Sequence, residues 1–178
     1  MNDRLTKSAW IRHGLRTLTL DGPNALKVGQ MSISLKVSRG SFYWHFRDIA
    51  DFRAQLLQRW RRISTDLVIR DMDARQGEPD RLKRLVRRAF SGSRRLERAI
   101  RSWAAEDEEV AAAVASVDAR RVDHIAKLLV DAGVDARRAL PRAAFMYWAY
   151  LGQAIVMEPG RSFLAASDLS DISDLFET

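Results

Sequence analysis

Apolar side chains recur along this chain with the period of an α-helix, and nowhere do they keep up the period-2 alternation of a strand. Ile11, Gly14, Leu15 and Leu18 follow the i, i+3, i+4, i+7 spacing. Val28, Met31 and Leu35 make a short stripe, and Ile49, Phe52, Leu56, Trp60, Ile63 and Leu67 make a long one. A chain patterned this way can build an apolar face only on helices, so the expected fold is all-α with about nine helices. Gly22 with Pro23, Gly77 with Pro79, Gly92 and Gly133 punctuate the pattern. Ser38, Asp48 and Ser93 are placed to cap helices. The acidic block 106–109 suits the first turn of a long helix ending at Gly133, since negative charge there complements the helix dipole. Pro141 requires the next helix either to begin near residues 138–140 or to kink, before it runs on to about Met157. A short amphipathic helix on Leu169, Ile172 and Phe176 follows.

The 178 residues include no cysteine, which excludes disulfide frameworks, thiol nucleophiles and cysteine-ligated zinc. His13, His45 and His124 are far apart and lie in no ligand motif. No phosphate-cradling glycine loop or nucleophile elbow is present, so the expectation is a protein that is not an enzyme and carries no cofactor. Asp3, Arg4, Lys7, Arg12 and Arg16 interrupt the start of the chain, against a signal peptide. The most apolar stretch, residues 143–157, is shorter than the roughly 20 residues a bilayer requires. The expected protein is cytoplasmic, with no membrane partner.

Charge divides the chain. Residues 1–65 hold 12 Lys and Arg against 4 Asp and Glu, whereas residues 66–178 hold 18 against 19. A basic module on a near-neutral body is the pattern expected of a polyanion binder. A second basic run, Arg81 to Arg101, reads as a solvated helix face.

Within the basic module, residues 37–46 form the informative stretch, Val37-Ser38-Arg39-Gly40-Ser41-Phe42-Tyr43-Trp44-His45-Phe46. A short helix over about 27–35, a brief connection and a second short helix make the helix-turn-helix pattern. Val37, Phe42 and Phe46 share an inward side. Ser38 opens the helix where free N–H groups can face a phosphate. Arg39, Ser41, Tyr43, Trp44 and His45 are left to project outward.

These residues, together with the run Gly22-Pro23-Asn24-Ala25-Leu26-Lys27-Val28, resemble the DNA-binding domain of the TetR/AcrR family of transcriptional regulators. The resemblance covers about residues 5–60. It implies that Arg39 contacts bases or phosphate, that Tyr43 and His45 touch phosphates, and that Trp44 reaches a thymine methyl or the sugar-phosphate edge. Gly40 would allow close approach, and Arg47 would add a phosphate contact. The chain departs from the family at three places. Ile49 replaces a usual lysine, Lys36 a frequent turn glycine and Lys27 a frequent capping threonine. Lys27 and Lys36 would restore the lost charge.

The resemblance also implies a domain division at residues 1–47 and 48–178, a homodimer and an effector pocket in the body. Independently of it, residues 143–157 are apolar nearly all round a helix and must be covered on both sides. Val114, Val117, Ile125, Leu128, Trp148, Leu151 and Ile155 are the expected dimer residues. Trp60, Phe90, Trp103, His124, Met146 and Tyr147 are the expected pocket residues, suited to a small apolar or aromatic effector. The function implied is a homodimeric repressor released by its effector from a near-palindromic operator on double-stranded DNA. Two other readings stay open. One is a constitutive DNA binder, and the other a helical interaction protein whose basic module meets an acidic partner or a membrane surface.

Overall fold

The computed structural model of the protein describes residues 5–155 and 164–177. Among these residues the fold is all-α, with nine helices and no strand. They are α1 (Lys7–Asp21), α2 (Val28–Ser34), α3 (Arg39–Tyr43), α4 (Ile49–Arg61, continued through a π turn at Arg62–Asp66 into Leu67–Asp73), α5 (Arg81–Ser91), α6 (Arg95–Ala104), α7 (Glu108–Asp131), α8 (Ala136–Ile155) and α9 (Ala166–Glu177). A single 3-10 turn, Pro23–Ala25, lies between α1 and α2. No helix among the described residues is long and apolar enough to cross a membrane.

Local chemistry sets most of the ends. Thr6 Oγ1 accepts from the Ala9 N–H at 3.2 Å and caps α1. Asp48 does the same for α4 through the Asp51 N–H at 2.7 Å. Asp107 opens α7 by accepting from Glu109 and Val110, with Glu108 and Glu109 in its first turn. Gly133, at φ 101°, follows the end of α7 in the left-handed region that a side chain would resist. Other boundaries differ from expectation. Ser38 stands at the N-cap of α3 but its hydroxyl makes no capping bond. The cap of α6 is Arg94 rather than Ser93. α8 begins at Ala136, before Pro141, so the proline lies in its second turn and has no N–H to offer the Arg137 carbonyl. The expected end of this helix, residues 156–157, lies outside the described residues.

The long stripe of α4 also departs from its predicted register. Phe52, Leu56 and Trp60 are buried at spacings of four, but the next fully buried residue is Thr65, five further on, and not Ile63 or Leu67. The π turn accounts for this. A π turn closes i→i+5 and takes in one extra residue, so the inward face advances by one position.

Two apolar clusters fill the interior. The first joins Trp10, Leu18, Phe42, Phe46, Phe52, Leu56 and Trp60 to Ile100, Trp103, Val110, Val114 and Val117. It runs without a break from α1–α4 into α6 and α7, so the division expected at residues 47 and 48 is not a gap in packing. Close approach of α1 to α4 depends on Gly14, where a Cβ would lie 2.5 Å from Phe52 Cζ. The second cluster holds Leu82, Val86, Leu128, Leu129, Val134, Ala139, Ala143 and Leu169, beneath α5, α7, α8 and α9.

Candidate functional site

α2, α3 and the turn between them are held from beneath by rings. Phe42 and Phe46 are buried, at centroid distances of 5.0 Å from one another and 5.3 and 4.9 Å from Phe52, and Trp10 meets Phe42 edge-on at 5.3 Å. The turn closes with the Val37 N–H donating to the Ser32 carbonyl and the Lys36 N–H to that of Ile33. This is a Schellman arrangement whose left-handed residue is Lys36, at φ 55°. A lysine there costs about 1–2 kcal/mol relative to an unstrained conformation.

With Phe42 and Phe46 turned inward, the outer side of α3 is polar and aromatic. Lys27, Lys36, Ser38, Arg39, Gly40 and Arg47 are exposed, and Ser41 is half-buried. Tyr43 is 58% and Trp44 71% exposed, unusual for such large rings. The Arg39 guanidinium lies against Gly29 of α2, where a Cβ would come within 3.0 Å of it. At Gly40 an added Cβ would meet only Ser38 Oγ, at 3.6 Å. His45 differs from the outward projection expected of it. It is half-buried, and its Nε2–H donates to the Leu5 carbonyl at 2.7 Å, tying the start of the chain to the end of α3.

A second feature lies in the body. A cavity of about 500 Å³ opens between the second half of α4 and α5, α7, α8 and α9. Four residues expected in a pocket, Phe90, His124, Met146 and Tyr147, line it together with Ile125, which was expected at a dimer surface. Trp60 and Trp103 do not. Both are buried in the first apolar cluster, because the inward face of α4 before its π turn points into that cluster.

A largely buried group of ions stands behind the cavity and reaches its wall through Arg121 and Tyr147. Arg121 donates from Nε to Thr65 Oγ1 at 2.9 Å, from Nη2 to Ser64 Oγ at 3.0 Å and from Nη1 to Glu97 Oε1 at 3.0 Å. Arg101 holds Asp118 with two nitrogens, at 2.6 and 3.0 Å, and Glu97 with Nε at 2.9 Å. The Tyr147 hydroxyl donates to Asp118 Oδ1 at 2.6 Å and accepts from both arginines. Burial disfavours both cations, yet Glu97 beside Arg121 and Asp118 beside Arg101 outweigh it and hold each above its ordinary value. Burial raises the Tyr147 and Tyr150 phenols, which stay neutral. Burial lowers His124, favouring the uncharged imidazole.

Arg81, Arg94 and Arg101 belong to the run expected as a solvated face. Arg81 is buried and paired with Asp131 at 2.9 Å, and Arg101 is half-buried in the ion group just described, whereas Arg84, Arg87, Arg88 and Arg95 follow the expectation. The helices that carry these residues are amphipathic, and a charge on the inward stripe is buried along with its apolar neighbours. Arg121 and Glu97 were not singled out from the sequence. The signal existed for Arg121, since it continues the spacing Val110, Val114, Val117, Arg121, His124, Leu128 along one face of α7.

Of the expected dimer residues, Val114, Val117 and Leu128 lie inside their own subunit at 6%, 1% and 2% exposure and have no surface to offer a second copy. Leu151 is half-buried. Trp148 and Ile155 are exposed, and Phe145 joins them on the same face of α8. Among the described residues no three metal-ligating side chains come together. No known protein-family model matches the chain, and no curated protein matches it in sequence.

Proposed function

We propose that this chain is a sequence-specific DNA-binding regulator of the TetR/AcrR type, acting as a homodimer and responding to a ligand in the cavity of its body. One observation carries the reading. Arg39, Gly40, Tyr43 and Trp44 stand exposed on a single short helix whose opposite side is locked by Phe42 and Phe46. Two large rings left mostly in water beside basic side chains forgo apolar burial. A duplex offers them phosphates to accept their hydrogen bonds and base edges to meet their faces. The open space outside Gly40 suits close approach of a backbone. Lys27, Lys36 and Arg47 add charge around the same surface. His45 contributes by fixing the end of α3 rather than by a free ring nitrogen.

The exposed face Phe145, Trp148 and Ile155 supports pairing of two copies through α8. Two α3 helices would then enter successive major grooves, about 34–36 Å apart. α4 runs from Asp48, next to α3, to the cavity wall at Ser64 and Thr65, so a ligand that prefers one setting of α4 alters the spacing of the two reading helices.

The test is titration of the protein onto duplexes that include the sequence flanking its own gene. A preference for one inverted repeat, with affinity falling steeply as salt rises, is the expected result. Arg39→Ala and Tyr43→Ala should each cost about 1–3 kcal/mol of binding to that site. Equal binding to any polyanion, with or without these substitutions, overturns the reading in favour of a basic module for acidic partners.

A further inference from the structure

Three arginines line the cavity, Arg88, Arg94 and Arg121, and no carboxylate does so among the described residues. Two of the three are neutralised from behind, Arg88 by Asp71 at 3.3 Å and Arg121 by Glu97 at 3.0 Å. Arg94 is not. Its terminal nitrogens donate to the carbonyls of Ala89 and Gly92, its Nε is buried without a hydrogen-bond partner, and its Cζ lies over the rings of Phe90 and Tyr150 at 5.8 and 5.9 Å from their centroids. Ring faces and carbonyl oxygens carry only partial charge and compensate a cation incompletely. Burial accordingly disfavours the charged form of Arg94. The Tyr150 hydroxyl, neutral at ordinary pH, makes no hydrogen bond among the described residues and stands on the same wall.

We propose that the cavity binds an amphipathic monocarboxylate, with its carboxylate on the Arg94 guanidinium beside Tyr150 and its alkyl body among Leu85, Met146, Leu169 and Phe176. A single anion completes the charge that Arg94 lacks, and the planar guanidinium matches a carboxylate's two oxygens. The other two arginines of the wall are already paired with Asp71 and Glu97, so a second negative charge meets no unneutralised cation and a dianion or a zwitterion fits poorly. A cation finds no acid among the described residues of the wall. The size of the cavity falls within the range usual for small-molecule sites. This names the effector class in the reading above and rests on that reading for its regulatory meaning, but binding itself requires no DNA.

Calorimetric titration of the full chain with decanoate, decanol and decyltrimethylammonium, each below its micelle concentration, tests it. Decanoate should bind at least about tenfold more tightly than decanol, and the cation more weakly than either. Arg94→Met should bring decanoate to the level of decanol while leaving decanol unchanged, and Arg94→Lys should keep part of the preference. If Arg94→Met does not fold, the wild-type ratio and Arg94→Lys decide. Equal binding of acid and alcohol, preference for the cation, absence of decanoate binding, or an undiminished preference in Arg94→Met overturns the proposal. Operator binding is a separate readout. Decanoate bound by a chain that shows no sequence preference for DNA would sink the regulator and leave the ligand class standing; a specific DNA binder indifferent to decanoate would do the reverse.

Discussion

The interior under α1–α4 and the interior under α5–α9 are built on different terms. In the first, Trp10, Phe42, Phe46 and Phe52 touch edge to face at 4.9–5.3 Å and the charged groups stay on the rim. In the second, space for a small molecule lies beside Glu97, Arg101, Asp118 and Arg121, which are linked to one another in the protein. Dense rings hold one shape and leave the outside of α3 in a fixed presentation. A cavity with arginines in a mostly apolar wall forgoes packing and gains a surface whose charge balance an incoming molecule can change. In the function proposed above, the stiff region would do the reading and the open one the responding.

Removal of Glu97 should expose that difference most sharply. Glu97→Ala leaves Arg101 and Arg121 buried with one shared carboxylate gone, and chemical denaturation should report a loss of about 3–5 kcal/mol. A loss below 1 kcal/mol would mean that the buried ions contribute little to the body. Tyr147→Phe keeps the ring and deletes one hydroxyl between Asp118 and two guanidinium groups, for an expected loss of about 1.5–3 kcal/mol by the same measurement. In the ring-filled region, Gly14→Ala pushes a methyl into Phe52 and should cost about 1–3 kcal/mol. If Gly14→Ala is neutral, the first interior is looser than the distances between its rings imply.

The smallest expected effect concerns pH. Burial holds His124 below the ordinary 6.5, and burial together with Arg16 does the same for His13. For such groups the unfolded chain takes up the proton first. Their stability is full above about pH 7 and is lost as pH falls through the ordinary histidine value. Melting temperature should therefore decline from pH 7 toward about pH 5, and His124→Gln should flatten part of that decline.

Much of this architecture was legible because local and global preferences agree. Phe42 and Phe46 could be assigned inward and Tyr43 and Trp44 outward from spacing alone, Asp48 caps the helix that its sequence position suggests, and the acidic block 106–109 stands at the start of α7, with Asp107 as its cap rather than in its first turn. The family resemblance places Lys36 where a turn glycine is frequent, and it sits at φ 55°. Spacing failed where a polar residue occupies an inward position. Arg81, Arg101 and Glu97 look solvated in sequence because nothing local announces the partner that makes burial tolerable, and those partners lie 50, 17 and 24 residues away. Val114, Val117 and Leu128 failed in the opposite direction. An apolar stripe states that a face is covered, not whether its own chain or a second copy covers it.

The wide turn at Arg62–Asp66 has a further consequence for how the two ends of α4 are phased. Each residue of an α-helix turns the next through about 100°. The extra residue taken up there sets Leu67–Asp73 about one such step away from where an unbroken helix would leave it, and Thr65, gripped by Arg121, marks the step. Deleting one residue within this segment would let the ladder close at regular pitch and leave Met72 on the interior face with Phe52, Leu56 and Trp60, whereas closing the ladder with every residue kept would swing Met72 off it. A one-residue shortening here is thus a change the second half of the helix can absorb without turning, while a regular ladder at full length is a rotation of that half.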